Sequence, residues 1–99
     1  MMKGATVERP KISKERAALA VEKVKQKLLE LMDEPDGDKS FASTHEIYGA
    51  VAEEHKELLD ALHADTEDEF AAELADIAVA AIFGIACIEE WTVEHRSKK

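Results

Sequence analysis

Cysteine is nearly absent from this chain of 99 residues: Cys87 stands alone, inside an apolar run. One cysteine makes no internal disulfide and offers no zinc-ligand spacing, so the expectation is a small buried hydrophobe in a reducing compartment. Aromatic residues are 5% of the chain, so Ala, Leu, Ile and Val must build the core. The opening segment MMKGATVERPK has no apolar stretch of the signal-peptide kind. The longest apolar run, Ile77 to Ile88, has twelve residues, against roughly 20 for a bilayer-spanning helix. No segment alternates convincingly as a strand. These absences together predict a cytoplasmic, all-α protein with no membrane partner.

Positive charge is also scarce. The formal net charge is −9, and it is uneven. Residues 1–30 carry eight Lys/Arg against four Asp/Glu, whereas the rest carry five against eighteen. So acidic a surface repels a phosphate backbone, which argues against a nucleic-acid partner. The same charge attracts divalent cations, and a cation can then recruit phosphate.

What is present is helical periodicity. Residues 1–12, with Gly4 and Pro10, read as a flexible tail, and 13–96 as a single domain. Ala17, Val21, Val24, Leu28 and Leu31 recur at three- and four-residue steps, so a first helix runs from near Ser13 to near Asp33. The stretch DEPDGDKS then supplies turn chemistry. Ser43 with Glu46, and Thr66 with Glu69, have capping-box spacing and open a second and a third helix. The second should end near His63. The third passes through the 77–88 stretch, which is apolar all round and must be covered on every side, and ends either near Glu90 or, through Trp91, at Arg96. The expected architecture is an antiparallel bundle of three to four helices, completed by dimerisation.

The anomaly lies on helix two. With Glu54 at zero, Ile47 falls at about 20°, Val51 at about 60°, Leu58 at about 40° and Ala61 at about −20°. Glu54 therefore sits within the apolar stripe, and Glu57, at about −60°, lies on its edge. On helix three, Glu73 and Asp76 share a face that continues into Ala80 and Phe83. A hairpin centred near Asp65 leaves Glu57 and Glu73 each eight residues away, and Glu54 and Asp76 each eleven. Antiparallel packing then brings all four carboxylates together. Unneutralised, such a group raises its own pKa values or binds a cation. Hard, oxygen-loving Mg²⁺ or Mn²⁺ fits best. A di-iron site needs Glu-x-x-His on two helices, and no His here has a Glu three residues before it.

EEHKELLDAL (53–62) and ELAD (73–76), with fifteen residues between Glu57 and Glu73, resemble the signature of the all-α NTP pyrophosphohydrolases, the MazG-like superfamily. THEIYGAVAEE (44–54) is similar to the start of helix two in small bacterial and phage members. The resemblance covers roughly residues 43–88. It implies a dimerising helical bundle and Mg²⁺-dependent hydrolysis of a nucleoside triphosphate to the monophosphate and pyrophosphate. Carried onto this chain, Glu54, Glu57, Glu73 and Asp76 are the metal ligands and the catalytic carboxylates. Lys14, Lys25 and Lys27 flank the first helix's apolar stripe and read as solvated, with the triphosphate as their alternative partner. Residues 33–42, with Lys39 and Phe41, read as a connector, with base recognition as the alternative. His55, His63 and His95 read as exposed, and His45, in the first turn of helix two, as a cap-adjacent surface histidine with approach to the site as the alternative; Trp91 reads as core or dimer interface rather than a base-stacking platform. The alternative function is a non-catalytic helical interaction or regulatory protein that keeps the bundle.

Overall fold

In the computed structural model, which describes residues 8–64 and 66–97, the chain is all-helical. Among the described residues there are three helices and no strand: α1 Lys14–Met32, α2 Thr44–Ala64 and α3 Glu67–Ser97. Residues 8–12 are exposed and non-helical, as a tail should be. The first seven residues of the predicted tail, the hairpin centre Asp65 and the last two residues lie outside the described residues.

Each helix starts where its cap chemistry places it. Ser13 is the N-cap of α1, and its Oγ accepts from the Arg16 N–H at 3.0 Å. Ser43 Oγ accepts from Glu46 N–H at 3.2 Å, while Glu46 reaches back to Ala42 N–H at 2.6 Å. Thr66 Oγ1 accepts from Glu69 N–H at 3.1 Å and faces Glu69 Oε1 at 3.3 Å. α1 ends at Met32, with Asp33 as its C-cap. In the turn that follows, Asp36 adopts a left-handed φ of 61°, and Gly37 has no room for a side chain, because a Cβ there would lie 1.9 Å from the Leu31 carbonyl oxygen. The third helix is longer than the 77–88 stretch required, continuing without a break to Ser97.

α3 is the central element and contacts both other helices. Ile47 of α2 lies against Gly84 of α3, and a Cβ on Gly84 would come within 2.8 Å of Ile47 Cγ2. Ten residues further along α2, Glu57 meets Glu73, eleven residues back along α3, so the chain direction reverses between these helices. The connector after α1 is tied down by two contacts. Trp91 Nε1 donates to Ser40 Oγ at 2.8 Å, and Phe41 meets Phe83 edge-on, ring centroids 5.6 Å apart.

Little of the apolar surface is covered within one chain. Among the described residues, the buried hydrophobic ones are Val79 and Cys87. Leu74, Ile82, Ile85 and Ile88 of α3 remain exposed, with Ile85 at 56%. The segment Glu67–Thr92 is long and apolar enough, by length and composition, to cross a membrane.

Candidate metal centre

Helical register explains how the acidic residues come together. Glu54 and Glu57 are one turn apart on α2, and Glu73 and Asp76 one turn apart on α3. The Ile47–Gly84 contact allows close approach higher up and fixes the register that brings the pairs level. One carboxylate oxygen from each of Glu54, Glu57 and Glu73 lies within 4.8 Å of the others. Glu54 and Glu73 are half-buried, and Glu57 is exposed. Glu54 Oε1 and Glu73 Oε2 are sealed from solvent and have no hydrogen-bond partner.

Asp76 stands slightly apart from this trio. Its Oδ1 lies 2.5 Å from Lys27 Nζ of α1, the one salt bridge among the described residues. Lys14 and Lys25 are exposed, as read from the sequence; Lys27 is not simply solvated. The signal for Lys27 was its position three residues after Val24, on the border of the α1 stripe.

The electrostatics follow from this crowding. Burial pushes the Glu54 carboxyl up, and the charges of Glu57, Asp76, Glu73 and Glu53 push it further. Glu73 also rises, first through burial, then through Asp76 and Glu57 and its close contact with the Glu57 carboxyl; Lys27 opposes the rise. Two carboxylates held above their ordinary range, with oxygens facing one another, form a site that either retains protons or takes up a cation.

A cavity of about 290 Å³ opens beside the cluster. Glu54, Asp76 and Glu34 are its acidic lining, and Leu28, Met32, Phe41 and Phe83 are among its apolar walls. Sequence reasoning found the carboxylates but not this chamber, since it depends on how the connector folds back onto α3. His45, His55 and His63 are exposed, and His95 falls where side chains are not described. Lys39 is exposed, while Phe41 is half-buried against Phe83. Trp91 is half-buried through its bond to Ser40.

No known protein family, curated protein or solved structure matches the chain.

Proposed function

We propose that the chain is a MazG-like, Mg²⁺-dependent nucleoside triphosphate pyrophosphohydrolase, with Mn²⁺ able to replace Mg²⁺. One observation carries this reading: the sealed, partnerless oxygens of Glu54 and Glu73 converge with Glu57 from two helices. A buried carboxylate oxygen without a donor is costly, and the cost disappears when a cation takes the donor's place. An all-oxygen donor set suits a hard divalent ion. Glu54, Glu57 and Glu73 would hold the metal, with Asp76 as the fourth carboxylate once Lys27 releases it. When bound, the metal supplies Lewis acidity toward phosphate oxygens and lowers the pKa of a bound water.

The residues of the chain supply the rest. A cluster carboxylate accepts the proton of the attacking water. Water oxygen bonds to the α-phosphorus, the bond to the bridging β-phosphate oxygen breaks, and the monophosphate and pyrophosphate leave. The cavity beside Glu54 and Asp76 holds the nucleoside and excludes water from one side of the reacting group.

The exposed Ile82, Ile85 and Ile88 support an antiparallel helical bundle completed by a second copy. The charges of α2 favour a cytoplasmic protein over a membrane one: α2 runs along α3 and exposes Glu53, Lys56 and Asp60, which hydrocarbon would not tolerate at that depth. The lone free Cys87 agrees with a reducing compartment.

The test is pyrophosphate release from a panel of NTPs and dNTPs with Mg²⁺. Turnover that Glu54→Gln or Asp76→Asn abolishes, with folding intact, is expected. The exposed apolar surface favours a second reading, a non-catalytic interaction protein; no turnover on any nucleotide by a folded protein would select it.

A further inference from the structure

We infer that Lys27 is a phosphate-binding residue parked on Asp76, which it leaves for a phosphate oxygen of the substrate when a divalent ion claims that carboxylate. The inference rests on reading the carboxylates as a metal site and adds the group that receives the anionic substrate.

Lys27 is well placed. Its ammonium crosses from α1 to Asp76 of α3, and Asp76 lines the cavity. Leu28, the residue after Lys27, and Leu31, one turn on, line the same cavity, so Lys27 stands at its border. Lys27 is 39% exposed and Asp76 29%, so the pair is half-open to solvent. An ion pair of that kind is easily exchanged. The lysine stem is flexible, and its ammonium can redirect its three donors without any movement of α1. Among the described residues, Lys27 is the lysine that pairs with a cluster carboxylate; Lys11, Lys14, Lys23, Lys25, Lys39 and Lys56 are exposed.

Charge decides why such a residue is needed. Four carboxylates carry four negative charges. A divalent ion offsets two of them, which still leaves the site short of positive charge for a polyanion. Lys27 adds one more beside the ion. In the metal-free protein the same ammonium occupies Asp76, so it competes with the ion for that ligand.

The experiment compares full-length wild type, Lys27→Met and Lys27→Arg. Mn²⁺ affinity is measured by titration calorimetry without nucleotide, and then inorganic tripolyphosphate is titrated onto the Mn²⁺-loaded proteins. In Lys27→Met, Mn²⁺ should bind at least as tightly as in wild type, while tripolyphosphate binds about tenfold or more weakly. Lys27→Arg should restore most of the tripolyphosphate affinity. Equal tripolyphosphate affinity in wild type and Lys27→Met overturns the inference. So does Mn²⁺ affinity that falls in Lys27→Met, which marks Lys27 as a prop for the carboxylates. Wild type that fails to bind Mn²⁺ overturns the metal reading itself, a result visible in the first titration.

Discussion

Replacing Glu54 by Gln should have opposite consequences with and without metal. Without metal, Glu54 stands among like charges, and its nearest oxygens from Glu57 and Glu73 lie within 4.8 Å. Unit charges at that separation repel by about 0.9 kcal/mol in water and about 3.5 kcal/mol at an effective dielectric constant of 20. The site is only half-buried, so solvent screening favours the lower figure. Removing the Glu54 charge then relieves on the order of 1 kcal/mol of repulsion with Glu57, and relief at Glu73 acts in the same direction. For a domain of this size each kcal/mol moves the melting temperature by about 4–8 °C. In EDTA, Glu54→Gln should therefore melt several degrees above wild type. With Mn²⁺ at a hundred times its Kd, wild type should gain about 2.7 kcal/mol, and the variant should lose most of that gain. The two melting curves should cross as metal is added. Thermal unfolding followed by circular dichroism, with and without EDTA, reads both effects. Wild type that is already the more stable in EDTA would refute the like-charge reasoning, and an undiminished Mn²⁺ response in the variant would refute the ligand assignment.

Further outcomes follow from the same geometry. Glu54 and Glu73 titrate above the ordinary value of 4.5, so the fold favours their protonated forms. Their contribution is complete below about pH 4.5 and is lost as pH rises through the raised values. The metal-free wild type should therefore lose stability over that window relative to Glu54→Gln, and saturating Mg²⁺ should reverse the trend, because the ion binds only deprotonated ligands; a constant difference between the two proteins would contradict the shifts. At the α2–α3 crossing, Gly84→Ala should cost about 1–3 kcal/mol in overpacking, less about 1 kcal/mol gained in helix propensity. In an Ile47→Ala background, which removes the obstructing Cγ2 methyl, the same substitution should become stabilising; a denaturant double-mutant cycle without coupling would show that the contact is not rigid.

The helices were legible because their signals are local. Ser13, Ser43 and Thr66 cap where their side chains suggest, and a three- to four-residue period needs no tertiary information. The meeting of Glu54, Glu57 and Glu73 was also legible, since equal distances from a hairpin translate into equal height. What escaped depended on contacts distant in sequence. Lys27 reaches Asp76 across 49 positions, and its position on the stripe border does not reveal which carboxylate lies opposite. The cavity depends on Trp91 holding Ser40 and on Phe41 meeting Phe83, contacts that no periodicity encodes. The unbroken run of α3 to Ser97 was open in the sequence because Trp91 to Arg96 mixes apolar and charged residues without a stop signal.

Anomalous scattering from a crystal soaked in Mn²⁺ reaches the metal centre most directly. A peak bridged by oxygens of Glu54, Glu57 and Glu73, with Asp76 drawn off Lys27 toward it, is the predicted result. Those three carboxylates splayed into solvent, with no peak between α2 and α3 at saturating Mn²⁺, would contradict it.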